Sequence, residues 1–238
     1  MNFPFSKAVQ AFLIRINKPK VYHLIDKIIR LNLSYLVGAA LYDLSEAVRL
    51  TKNTPGMIVE AGTALGGSAI LISSVKNTNK ELLLFDTFTQ IPAPTVKDGP
   101  EVMDRYETIV RGEAKGIGAD KYYGYQPDLV DVVKKNFDAF GIDLEKNNIK
   151  LIKGLYQETM FITSPVSMAH IDCDWYESVK YCLEQISPNL QVGGIIVIDD
   201  YDHWSGCRVA VDEFLVKQEN SGAFKVVHKS RLQLRRIR

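Results

Sequence analysis

The sequence predicts an α/β fold built on a mostly parallel sheet. Three observations carry that expectation. Apolar runs recur at 57–60, 82–86, 149–153, 168–172 and 193–200, the last of them rich in β-branched residues. Runs of this kind read as strands covered on both faces. Patterns with helical spacing separate them, as at 128–140 and 176–186. Four of the five runs end in an acid: Glu60, Asp86, Asp172 and the pair Asp199-Asp200. In open α/β sheets, ligands bind just beyond the carboxyl ends of the strands.

Composition sets the frame. A chain of 238 residues is long enough for one large α/β domain with a sizeable core. Basic and acidic residues nearly balance, 29 against 28, so charge offers no argument for a nucleic-acid partner. A hydrophobic content of 46% is that of a soluble globular protein. Cys173, Cys182 and Cys207 form an odd set without metal-type spacing, which predicts a reducing, cytoplasmic setting. No apolar run approaches the roughly 20 residues that span a bilayer. Lys7 and Arg15 interrupt the apolar N-terminus, so no signal-peptide core is expected.

The first 52 residues are expected to form a helical N-terminal extension, with the main domain over 53–238. Within 1–20, Phe3, Phe5, Val9, Phe12, Leu13 and Ile16 are spaced roughly as in a helix, accompanied by Lys7, Arg15, Lys18 and Lys20. Such a segment packs on its own domain or on a second subunit, which predicts a homo-oligomer. Weak contact with a membrane surface is the other reading. Helical patterns follow at 21–31 and 36–50, and Asn53-Thr54-Pro55-Gly56 breaks the second.

The first strand runs into Ala61-Gly62-Thr63-Ala64-Leu65-Gly66-Gly67-Ser68, and a helix is expected from Ala69. Strand, glycine-rich turn and helix let a cofactor approach backbone N–H groups closely. The pattern is neither G-x-G-x-x-G nor a P-loop. Glu60 at the strand end would also tolerate a pyrophosphate poorly. A ligand with a cationic or zwitterionic amino-acid part fits better. Asp86, ending the second strand, is placed to accept hydrogen bonds from ribose hydroxyls. Residues 87–125 hold prolines, glycines and Tyr106, Tyr122, Tyr123 and Tyr125, and read as a folded insertion facing the substrate. The segments 224–227 and 232–237 read as an antiparallel hairpin at the sheet edge.

If the strands ending in Asp172 and in Asp199-Asp200 are neighbours, three oxygen donors converge. Such a set suits a hard divalent cation such as Mg²⁺. The nearest cation in sequence is Arg208, several residues on. His170, inside an apolar strand, reads as a satisfied buried histidine. His203, beside the acid pair, is a candidate substrate contact. Asp174 is a second acid, or the cap of the helix that starts near Tyr176. Asp172-Cys173-Asp174 also matches the D-x-D of metal-dependent sugar-nucleotide glycosyltransferases, and a non-catalytic scaffold remains open.

Taken together, Val59-Glu60-Ala61-Gly62, Gly66-Gly67-Ser68, Leu84-Phe85-Asp86-Thr87-Phe88, the block from His170 to Ser178, Gly193-Gly194, Asp199-Asp200-Tyr201 and the block from Gly206 to Phe214 resemble the macrocin O-methyltransferase family. The blocks occur in the family's order over roughly 33–215, while 95–125 and the extreme N-terminus match nothing. The resemblance implies a Rossmann-like class I methyltransferase: a mostly parallel seven-stranded sheet with an antiparallel C-terminal edge hairpin. It implies S-adenosylmethionine and Mg²⁺ as cofactors and a sugar or other natural-product hydroxyl as acceptor. By the same resemblance Glu60, Gly62, Gly66 and Ser68 bind the cofactor with Asp86. Asp172, Asp199 and Asp200 bind the metal, and Asp172 is the general base.

Overall fold

A computed structural model describes residues 18–238. The expectation for the first helix therefore lies largely outside the described residues. Two helices, α1 (Pro19–Arg30) and α2 (Gly38–Leu50), precede the sheet. Pro19 opens α1, where its missing N–H costs nothing, and Lys27 and Arg30 occupy the last turn, where cations suit the helix dipole. These helices are not set apart from the rest. Ile28, Leu41, Leu44 and Val48 share one apolar cluster with Ile58, Ile70, Leu71 and Leu84.

The sheet has seven strands in the order β3-β2-β1-β4-β5-β7-β6. They are β1 (Met57–Ala61), β2 (Leu82–Asp86), β3 (Ile149–Lys153), β4 (Val166–Ile171), β5 (Leu190–Ile198), β6 (Phe224–His228) and β7 (Leu232–Arg236). The first five are parallel, and β7 is antiparallel to both β5 and β6. The mostly parallel sheet and its edge hairpin are as the sequence predicts. The chain winds outward from β1 to β3, then returns to place β4 beside β1. The two halves part at that switch point, where open α/β sheets hold ligands.

Apolar clusters cover both faces of the sheet. This is why the central strands carry no alternation: β1 and β4 are buried at every position. Helices α3 (Gly67–Val75) and α5 (Leu129–Ala139) lie on the face shared with α1 and α2, and α7 (Tyr176–Ile186) and α8 (Ser205–Gln218) cover the other. A single helical turn, α6 (Tyr156–Thr159), follows β3.

The insertion after β2 is more ordered than its composition suggests. It contains α4 (Pro100–Val110) and a 3₁₀ turn at Tyr123–Tyr125. The Tyr125 hydroxyl donates to the carbonyl of Ile109 at 2.7 Å and accepts from the Ala114 amide at 3.1 Å, tying the turn to the helix. Asp98 braces the other end by accepting from the amides of Thr95 (2.9 Å) and Tyr176 (2.8 Å). A segment rich in proline and glycine is thus held by side-chain to backbone bonds, a type of order that apolar periodicity does not reveal.

Candidate active site

The carboxyl ends of β1, β4 and β5 stand level. Glu60 pairs with His170, and His170 with Val197, in one row across the sheet. One step further the ladder continues through the Gly62 amide to Phe85, the Asp172 amide to Ala61 and the Asp199 amide to Ile171, at 2.8–2.9 Å. Gly62, Asp172 and Asp199 are therefore neighbours because of strand register alone.

Gly62 has a φ of +93°, and a Cβ there would overlap the carbonyl oxygen of Asp172. Only glycine permits both the turn and that approach. Gly66, with a φ of +87°, caps the start of α3. Gly67 donates its amide to the carbonyl of Leu33 at 3.0 Å, which draws the α1–α2 connection over the turn.

Asp86 braces the same turn. Its Oδ2 accepts from the amides of Thr63 (2.7 Å) and Ala64 (2.9 Å), and its Oδ1 from the amide of Phe88 (2.7 Å). The carboxyl is buried, and burial pushes its pKa up against the lowering by these amides. Read from sequence as a ribose acceptor, Asp86 is first of all a clamp on the glycine-rich turn. Oδ1 has a second, longer bond, from the Thr87 hydroxyl at 3.4 Å.

Four acids meet beside this turn. Asp172, Asp174, Asp199 and Asp200 line one cavity of about 290 Å³ together with Gly62, Thr63, Ala64, Ser68 and Asp86. Burial, then the charges of Asp199 and Asp200, push the Asp172 carboxyl well above the ordinary carboxylate range. Burial likewise raises Asp200, with Asp174 and Asp199 adding to it. Asp174 is raised to about 6, mainly by burial, against the hydrogen bond its Oδ1 accepts from the Trp204 indole at 2.8 Å. That indole holds Asp174 in the cavity wall, and the helix-cap reading fails: α7 has no side-chain cap. Instead, the Asp174 amide donates to Asp200 Oδ2 at 3.3 Å.

The cation that serves this cluster is not Arg208. Arg208 turns away to Asp202 and to the Tyr201 carbonyl. Arg231, in the turn between β6 and β7, donates from Nε to Asp199 Oδ1 at 2.6 Å. It also lines the cavity. The antiparallel pairing of β7 with β5 carries the turn back to the end of β5, so an arginine 32 positions away becomes the partner.

Glu60 and Gly66 do not line the cavity. Glu60 lies one row below the rim, fully buried, with Oε1 2.9 Å from His170 Nδ1. The resemblance implies that Glu60 binds the cofactor; in the structure its Oε1 faces a strand neighbour. His170 is equally buried, yet its Nε2 and the Glu60 Oε2 have no protein partner. His203 does reach the cavity.

The remaining walls come from segments that carried no local signal. Leu33, Tyr35 and Leu36 arrive from the α1–α2 connection, Arg105 and Ile109 from α4, and Tyr122 and Tyr123 from the insertion. Trp175 and Trp204 meet edge to face, 5.5 Å between centroids, and the Trp175 indole donates to the Pro92 carbonyl. A glycine-lined turn, an acid cluster and an aromatic wall thus share one crevice. It can hold a small molecule by stacking and accept a proton from it.

Comparison with known proteins agrees with this arrangement. The chain is similar to the 8-demethyl-8-(2,3-dimethoxy-alpha-L-rhamnosyl)-tetracenomycin-C 4'-O-methyltransferase of Streptomyces olivaceus, 28% identical over 203 residues, covering 82% of this chain and 69% of the relative. It is 27% identical to the mycinamicin III 3''-O-methyltransferase of Micromonospora griseorubida, over 82% of this chain and 71% of the relative. Among solved structures, the O-methyltransferase NovP superposes with a TM-score of 0.68 at 22% identity, over 87% of this chain and 83% of that one. The calicheamicin methyltransferase CalS11 superposes at 0.64 and 19% identity, over 98% and 94%. The fold is that of the class I O-methyltransferases. The family described as Macrocin-O-methyltransferase (TylF) matches residues 34–230, and the chain belongs to that family and is an O-methyltransferase.

Proposed function

We propose that this enzyme transfers the methyl group of S-adenosylmethionine to a hydroxyl of a sugar or related natural-product acceptor, with a divalent cation held beside the reacting oxygen. The observation that carries the proposal is the meeting of the glycine-rich turn and the acid cluster in one cavity. The relatives' names point the same way for the acceptor: one of them concerns a rhamnosyl substituent.

The residues fit both groups. Gly62 leaves room where a side chain would collide, and the carboxyl of Asp86, on the cavity wall, would accept from a ribose hydroxyl. Ser68 lies on the same wall. Glu60, beneath the turn, keeps Oε2 without a protein partner and adds negative charge below the site of a cofactor's ammonium. For the cation, oxygens of Asp172 and Asp199 lie within 4.8 Å of each other, and Asp200 shares the cavity. Four clustered carboxyl groups outnumber the two arginines of the cavity, Arg105 and Arg231, and form a donor set that a hard divalent ion satisfies.

When bound, the cation would lower the pKa of an acceptor hydroxyl, and S-adenosylmethionine would supply the methyl group. Asp172 takes the hydroxyl proton. Burial, then the charges of Asp199 and Asp200, raise its affinity for that proton. Trp175, Trp204 and Tyr123 wall the cavity, hold the acceptor's ring and exclude water from the displacement. Holding nucleophile, methyl carbon and sulfur in line is worth several kcal/mol, on the order of the gain from well-oriented intramolecular reactions.

The test joins calorimetry with turnover. S-adenosylmethionine should bind with measurable heat in excess chelator. A rhamnosylated aromatic acceptor should gain one methyl by mass spectrometry only when Mg²⁺ or Mn²⁺ is restored. Full methyl transfer in chelator would remove the cation from the mechanism. Absence of cofactor binding would remove the proposal as a whole.

A further inference from the structure

We infer that His170 is a nitrogen ligand of the divalent cation, so that the centre is a mixed His170–Asp172–Asp199 site and not one built of carboxylates alone. The inference rests on the proposed metal site and assigns it a donor that acid spacing in the sequence does not suggest.

Three observations converge. A ring nitrogen of His170 and one carboxylate oxygen each from Asp172 and Asp199 lie within 4.8 Å of one another. His170 has no solvent exposure, yet its Nε2 has no protein partner. A buried polar atom without a partner is costly, so such an atom in a native interior calls for a ligand or a specific role. The other ring nitrogen, Nδ1, faces the Glu60 carboxylate at 2.9 Å. A carboxylate only accepts, so in the neutral ring Nδ1 carries the hydrogen and Nε2 presents the lone pair. Carboxylate, histidine and metal in this order is the usual support of a metal-bound imidazole: the outer carboxylate fixes the tautomer and raises the ring's basicity.

Strand geometry explains how the three donors meet. His170 and Asp172 are two apart on the β4 track and share a face of the sheet. Asp199 stands two beyond Val197, the register partner of His170, and so joins the same face. Asp200, on the opposite alternation, has its Oδ2 engaged by the Asp174 amide at 3.3 Å. Glu60 is the register partner of His170 on β1, which is why it alone can reach the ring from the side.

A nitrogen among oxygens shifts metal preference. Imidazole suits Fe²⁺, Co²⁺ and Zn²⁺ better than Mg²⁺, which demands hard oxygen donors. The full-length protein, stripped of metal, is loaded with Mn²⁺ and examined by pulsed electron paramagnetic resonance. Imidazole nitrogen coupling to the Mn²⁺ is expected, and it should change when the protein is labelled with ¹⁵N-histidine. By calorimetry, His170→Gln should weaken Co²⁺ binding 10- to 100-fold and Mg²⁺ binding less than threefold. Glu60→Gln keeps an acceptor for Nδ1 but not the charge, and should weaken Co²⁺ about threefold to tenfold. Because the resonance experiment uses the unaltered protein, it stands even if a variant fails to fold. Bound Mn²⁺ without histidine nitrogen coupling would overturn the assignment of His170 and leave the carboxylate site intact. No Mn²⁺ binding at all would overturn the metal site itself, and His170 with it.

Discussion

Arg231 Nε lies 2.6 Å from Asp199 Oδ1, joining the hairpin turn at the sheet edge to the end of the central strand β5. Both side chains are mostly buried, at 14% and 8% exposure. Removing one partner of such a pair leaves the other charge buried and unpaired. Arg231→Met should therefore destabilise the metal-free protein by about 3 kcal/mol, measured by urea denaturation. The loss should shrink when Mg²⁺ or Mn²⁺ is added, because a cation near Asp199 replaces the missing charge. An equal loss with and without metal would mean that Asp199 does not face the cation.

Asp86 is a second single point of dependence. Asp86→Ala would leave the amides of Thr63, Ala64 and Phe88 without their acceptor, and Thr63 and Phe88 are buried. A stability loss on the order of 3 kcal/mol is expected from unmet buried donors. Cofactor affinity should fall at least tenfold in calorimetry. If affinity fell with no change in melting, the ribose contact and not the clamp on the turn would be its main role.

Asp174 should leave a signature in pH. Its folded pKa of about 6 lies above the unfolded value near 3.9. Between these values the folded state binds more protons than the unfolded state. The resulting stabilisation is complete below about pH 4 and is lost as pH rises through about 6. Asp174→Asn keeps an oxygen for the Trp204 indole and removes the titration. Stability of the metal-free variant relative to wild type should rise between pH 4 and 6.5, by 2 kcal/mol or somewhat less, an order of magnitude set by the shift. A flat difference across that range would contradict the burial assigned to this carboxyl.

The N-terminal segment bears on assembly. Phe3, Phe5, Phe12 and Leu13 precede the described residues, and Ile29, Leu31, Tyr35 and Val37 are exposed near the α1–α2 connection. Apolar groups of this number suit a subunit contact. The full chain is expected to be a homo-oligomer by light scattering, and removal of residues 1–17 to lower its mass. A monomeric full chain would end that expectation. Co-sedimentation with liposomes distinguishes the membrane-surface alternative.

No helix among the described residues is long and apolar enough to cross a membrane.

The strands of this protein are written in its sequence. Buried parallel strands need unbroken apolar runs, so 82–86 carried its own boundaries, while the half-exposed edge strand 149–153 showed as Ile149, Leu151 and Ile152 between lysines. The acids that end β1, β2, β4 and β5 were equally legible, because a carboxylate closing an apolar run has few structural reasons to be there. The glycine-rich turn was legible too, since positive φ at Gly62 demands that residue type. Side-chain partnership was not. Glu60 looked like a rim residue and proved to be buried against His170, because strand register, which no local pattern encodes, set the two side by side. Arg231 was invisible as the partner of Asp199 for the same reason: antiparallel return of β7 brings it close, and sequence distance does not measure that. The walls from 33–36, 105–109 and 122–123 depend on how loops close over the sheet. Hydrogen bonds such as those of Asp98 and Tyr125 set that closure, and they form between groups whose sequence spacing follows no period. The sequence alone determined which groups exist for chemistry at the strand ends; tertiary structure decided which of them face the cavity and which face one another.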